Sequence, residues 1–153
     1  MIRVIVLDST PLGLLVQRPT VSLAEQCRIW LKGQLSLGVK VVVPEIVYYE
    51  LRRELLRPQR HRAVDSLIEF THGSIGRYLP ITTSAMDLAA ELWAKARQQG
   101  KPTAHPHALD VDVILSAQLI AAGLDPAEFV VATSNLSHIS MFVPAASWET
   151  ITG

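Results

Sequence analysis

Residues 2–11, IRVIVLDSTP, decide the fold class. Residues 2–7 form an apolar run interrupted only by Arg3, the pattern of a strand buried on both faces. The run stops at Asp8. Pro11 then suits the first turn of a helix, with Ser9 or Thr10 as its cap. A buried strand that passes into a helix opens a β-α-β unit, and the acid between them stands at the carboxyl edge of a sheet, where open α/β folds place their ligands.

The rest of the chain continues the alternation. A helix is expected over 22–37, with Ser22 and Glu25 spaced as a capping box and Gly38 as the stop. The β-branched run 39–43 reads as a second buried strand. Pro44 opens a helix that Pro58 ends, and a further helix covers 60–71. A short strand over 78–81 precedes a helix over 84–99 and a loop over 101–107. Residues 108–122 form a nearly all-apolar helix, 129–133 another buried strand, and 142–146 a last one. Strands separated by helices predict a parallel sheet with right-handed crossovers, in one domain over 1–153.

Composition narrows the class of function. About half of the 153 residues are apolar, yet no apolar stretch reaches the ~20 residues that span a bilayer. No secretory signal pattern stands at the amino terminus, so a cytoplasmic protein is expected. The single Cys27 excludes an internal disulfide and a cysteine-based zinc site, and reads as a small buried residue. Net charge is zero, unlike the basic balance common in nucleic-acid binders. Its distribution is uneven: residues 1–76 hold ten Lys/Arg against seven Asp/Glu, and residues 77–153 hold four against seven. Arg52, Arg53, Arg57, Arg60, His61 and Arg62 fall within eleven residues. Such a run suits either phosphates or a solvated face at a helix end.

Two helices carry acids in unusual places. At 100° per residue, Glu50 and Glu54 fall inside the apolar arc of Ile46, Val47, Leu51 and Leu55, one turn apart. Acids held there need a basic partner, such as Arg53 or Arg57, or a cation. Asp110 and Asp112 begin the apolar helix, where the dipole favours negative charge. Two helical residues so spaced point about 200° apart and cannot share a site. With Asp110 as the cap, bonding the N–H of Asp112 or Val113, Asp112 faces outward from a rigid first turn and is the better ligand.

In this order, the residues resemble the PIN-domain nucleases, and within them the toxins of VapC type. The match runs from the strand into Asp8, through Tyr49-Glu50-Leu51 after the second strand and Asp112-Val-Ile-Leu-Ser-Ala at the start of the buried helix, to Val131-Ala-Thr-Ser-Asn135 after a late strand. The resemblance implies an α/β/α sandwich with a central parallel sheet, a Mg²⁺ or Mn²⁺ site, endoribonuclease activity on an RNA substrate, a homodimer and a small antitoxin partner. Hard cations take oxygen ligands and keep waters, so Asp8, Glu50 and Asp112 are assigned to the metal, with Asp110 secondary. Asn135 departs from a four-acid pattern, because its amide adds no charge. Thr133 either orients Asp8 or a water, or is a turn residue at a strand end.

The remaining polar and aromatic residues are read as structural. His105 and His107 lack an identifiable third metal ligand, and His138 follows the Asn135 motif. Trp30, Trp93 and Trp148 suit core or interface anchors. A haloacid-dehalogenase-like phosphatase requires an Asp where Thr10 stands. A dinucleotide-binding turn requires more glycine than Gly13 alone. A catalytically silent PIN-like module for protein binding and a housekeeping RNA-processing nuclease remain as rivals.

Overall fold

Nothing on β1 (Val4–Leu7) needs water, and this puts it at the centre of the sheet: Ile5, Val6 and Leu7 are fully buried. The computed structural model describes residues 1–18, 22–102, 105 and 110–152. β1 pairs in parallel with β2 (Lys40–Pro44) on one side and β4 (Phe129–Ala132) on the other. The short β3 (Tyr78–Leu79) and β5 (Ala145–Ala146) complete an all-parallel sheet of order β3-β2-β1-β4-β5. Helices α1 (Ser9–Val16), α2 (Ser22–Ser36), α3 (Glu45–Leu56), α4 (His61–His72), α5 (Thr83–Gln98), α6 (Val111–Ala121) and α7 (Leu136–Ile139) make the outer layers. The expected three-layer α/β/α architecture is present.

Several boundaries differ from the sequence reading for local reasons. Asp8, not Ser9 or Thr10, caps α1, accepting from the Ser9 N–H at 2.7 Å. α2 begins at Ser22 and holds Glu25 in its first turn. The expected helix over 108–122 begins at Val111, with Ala108 and Leu109 outside the described residues. The expected strand over 142–146 narrows to two residues, and α7 was not anticipated, since four residues are too few to show a helical period. Cys27 is fully buried, and burial pushes its thiol up to about 11, an inert core position. Trp30 and Trp148 pack against the core with ring centroids 5.6 Å apart, and the Trp30 indole donates to the Ile151 carbonyl.

The turn between α3 and α4 carries strain. The Arg60 N–H bonds the Leu55 carbonyl and the Gln59 N–H that of Leu56, with Gln59 at φ 57°. This is a Schellman end with a side chain where glycine is preferred. α2 and α6 close with the same pair of bonds around Gly38 and Gly123, at φ 82° and 74°.

A buried side chain joins three distant elements. α3 begins after Pro44, which offers no side-chain cap, so the amide of Ile46 needs an outside acceptor. Gln118 of α6 supplies it: Oε1 accepts from the Ile46 N–H at 3.2 Å, while Nε2 donates to the Leu79 carbonyl at the end of β3 at 2.9 Å. Gln118 and Ile46 are 2% and 3% exposed, so the Ile46 amide has no water to fall back on, while Leu79 is half-buried.

Two stability measurements follow from these contacts. Gln118→Met keeps the volume but orphans the buried Ile46 amide and removes the bond to the half-buried Leu79 carbonyl, and chemical denaturation should register a loss of about 1–3 kcal/mol. Gln59→Gly relieves the left-handed backbone at some entropic cost and should raise stability by about 0.5–1 kcal/mol; an unchanged or lower midpoint would contradict the strain.

Candidate functional site

The site is built by strand register. Leu7 lies beside Ala132 in the β1–β4 ladder, and the Asp8 N–H extends it by bonding the Ala132 carbonyl at 3.0 Å. Asp8 therefore emerges next to Thr133, whose hydroxyl donates to Asp8 Oδ2 at 2.6 Å. Both are buried, at 5% and 1% exposure. The strand order reverses direction between β1 and β4, and such a switch point is where open α/β sheets leave a crevice at their carboxyl edge. Both readings of Thr133 are present: its hydroxyl donates to Asp8 and, as a turn residue at the end of β4, accepts from the Asn135 N–H.

α3 and α6 bring further acids to this edge. Glu50 is half-buried, and its carboxyl is raised first by burial, then by the charge of Asp8; a Ser9 hydrogen bond and Arg53 oppose the rise. Glu54 belongs elsewhere: it is exposed and paired with Arg57 at 3.0 Å and with Arg53 at 3.8 Å. The two glutamates that the helical wheel groups together thus separate, one toward Asp8 and one toward solvent.

Asp110 caps α6, accepting from the Val113 N–H at 3.2 Å, as its spacing predicts. Asp112 in the first turn is only 18% exposed at its side chain. Its carboxyl is pushed up to about 6, first by burial, then by the charge of Asp8 and more weakly by Asp110, against a lowering contribution from His138. Asp112 Oδ2 accepts from Asn135 Nδ2 at 2.6 Å and lies 3.3 Å from His138 Nδ1. Asn135 in turn anchors to Thr133, its N–H bonding the Thr133 hydroxyl at 2.9 Å.

Two contributors escaped the sequence reading. Ser9 serves both sides of the centre: its N–H holds Asp8, and its side chain bonds Glu50. His138 is a side-chain neighbour of Asp112 and Asn135, not a loop residue. The available signal was its spacing three residues after Asn135, which one helical turn brings to the same side. His107 lies outside the described residues, and the reading of the His105/His107 pair lies outside them with it.

Asp8 thus stands between two acids, Glu50 and Asp112, each repelled by its charge, with one histidine beside Asp112. Among the described residues, no group of three His, Cys, Asp or Glu side chains is arranged to hold a metal ion as it stands. The donor chemistry nevertheless suits a hard divalent cation that keeps most of its waters and takes only one or two carboxylates directly.

No protein-family model and no curated protein matches the chain. Solved structures do match, nearly end to end. A chain of VapBC-1 from nontypeable Haemophilus influenzae is 14% identical, with a TM-score of 0.65 over 96% of this chain and 99% of that one. A chain of FitAcB from Neisseria gonorrhoeae is 21% identical, with a TM-score of 0.66 over the same shares. A chain of the DNA-bound VapBC from Salmonella typhimurium is 18% identical, with a TM-score of 0.61 over 97% and 99%. The fold is thus the PIN-like fold anticipated from the motifs.

The raised Asp112 carboxyl has a consequence for the metal-free protein. Between pH 3.8 and about 6 the folded chain keeps a proton that the unfolded chain releases. Stability from this group is therefore present below that window and lost as pH rises through it, by on the order of 1–2 kcal/mol. Asp112→Asn should raise the melting temperature in chelator at pH 7 and flatten this pH dependence; an equal or lower melting temperature would contradict the repulsion.

Proposed function

We propose that the protein is a Mg²⁺- or Mn²⁺-dependent endoribonuclease of PIN-domain type, the toxin of a toxin–antitoxin pair. The observation that carries this reading is Asp8: a buried carboxylate at the switch point of a PIN-like sheet, within electrostatic reach of both Glu50 and Asp112. The charge of Asp8 raises the proton affinity of both Glu50 and Asp112, a cost that a cation would remove. Asp8, Glu50 and Asp112 would hold it, with Asp110 fixing the helix that presents Asp112. A bound divalent cation supplies charge neutralisation at the phosphodiester and a lower pKa for the attacking water.

The chain's own residues supply orientation. Thr133 and the Ser9 N–H each engage one oxygen of Asp8, leaving further lone pairs directed at the crevice. Asn135 and His138 both bear on Asp112 Oδ2, so that its other oxygen is the free one. Asn135 acts in this reading as a positioning donor.

The similar chains come from structures described as VapBC and FitAB, which supports a small antitoxin as partner. The reading further includes a homodimer in the cytoplasm, and among the described residues no helix is long and apolar enough to cross a membrane.

Asp8→Asn decides between this function and a silent binding module. Wild-type protein should cleave RNA only with Mg²⁺ or Mn²⁺, and Asp8→Asn should lower the rate at least ~100-fold, the scale of losing a preorganised charged group. Mn²⁺ should also raise the wild-type melting temperature at neutral pH, less so in acid, and leave Asp8→Asn nearly unmoved. Equal melting curves with and without Mn²⁺, together with equal activity in both proteins, would establish the silent module.

A further inference from the structure

The arginine-rich run of the sequence divides in the folded chain. Arg53 and Arg57 pair with Glu54, and Arg52 donates to the Tyr48 hydroxyl at 2.7 Å. Arg60, His61 and Arg62 turn elsewhere. With Arg18 and Arg28 they line a cleft of about 750 Å³ between the end of α1, α2 and the start of α4. No Asp or Glu stands among the residues lining it, and none of the four arginines has a carboxylate partner among the described residues.

The cleft is built to stay positive. Arg28 is half-buried and fixed, its Nη2 and Nε donating to the Leu15 carbonyl at 3.2 and 3.4 Å. The strained turn at Gln59 aims Arg60 and the uncapped start of α4 at the same rim, adding the positive end of a helix dipole. Like charges gathered around one concavity repel, and an anion lowers that energy.

α1 links this cleft to the acids, because it starts after Asp8 and its last residues, Leu15 and Val16, line the cleft. Eight helical residues span about 12 Å. We propose that the cleft holds the phosphodiester backbone of a single-stranded RNA whose scissile phosphate lies at Asp8, an inference that rests on the nuclease reading. An acidic centre repels the polyanion it acts on, so binding requires a separate cationic track within reach, and guanidinium forks suit phosphate oxygens. An acidic protein segment meets the same charges without needing the track to lead to Asp8.

The test uses full-length Asp8→Asn protein and fluorescein-labelled poly(U), read by anisotropy across a salt series. Adding Arg60→Ala and Arg62→Ala should weaken binding roughly tenfold. It should also make the dependence of log Kd on log salt shallower by about 1.4, or ~0.7 for each lost phosphate contact. Arg60→Lys with Arg62→Lys should restore most of the slope, and Arg57→Ala, outside the cleft, should leave it unchanged. These side chains are exposed, so unchanged melting temperatures would confirm folding. An unaltered slope in the double alanine variant overturns the proposal even if the wild type cleaves RNA. Arginine-dependent binding of polyglutamate, with poly(U) affinity indifferent to the substitutions, overturns it in favour of an acidic protein partner. Arginine-dependent poly(U) binding by a protein that cuts no RNA upholds the cleft and removes the nuclease reading.

Discussion

The register of β1 against β4 is the constraint on which the site depends. Parallel pairing sets Leu7 beside Ala132, so the next residues, Asp8 and Thr133, leave the sheet side by side and join through a 2.6 Å hydrogen bond. A slip of one residue would turn Asp8 to the opposite face and bury a carboxylate without its hydroxyl partner. Both strands are apolar and buried nearly throughout, so the close fit of particular side chains, not an alternation of polar and apolar positions, resists that slip. Hydrophobic packing thus fixes the placement of a charged group.

The helices carry the other acids to the same edge by two routes. Glu50 arrives on a helix whose buried side is Ile46, Val47 and Leu55, so the packing of α3 determines where this acid points. Asp112 arrives on a helix buried nearly all round, from Val113 to Leu119, and is held by the Asp110 cap beneath it. Neither acid can relax far from Asp8 without moving a core element, which keeps the repulsion among them in the folded state.

The strands, the order of helices and the role of Asp110 were legible in the sequence because each rests on local signals: β-branched runs, glycine stops and cap spacing. For Glu54 the sequence left a basic partner and a cation as alternatives, and only the folded helix decides for Arg57 and Arg53. Ser9 and His138 were not legible, because their partners lie far along the chain and only tertiary structure joins them. The arginine run illustrates the same limit. Its members looked equivalent in sequence, and only the folded turn at Gln59 sorts those that pair with Glu54 from those that face Arg18 and Arg28. Zero net charge concealed a chain with an acidic centre and a basic cleft at opposite ends of one short helix.

The reach of Gln118 bears on how the chain becomes competent. Its two bonds span 72 and 39 residues, and they lock the helix of Asp112 to the start of the helix that bears Glu50. Contacts of such sequence separation close a loop before they return any enthalpy, so they form late in folding and break early in any opening that frees α6. Asp112 and Thr133 also lie in the last third of the chain. A polypeptide emerging from the ribosome thus carries Asp8 and Glu50 before the elements that complete the centre are made. Asp112 joins Asp8 and Glu50 only when the carboxyl-terminal part docks.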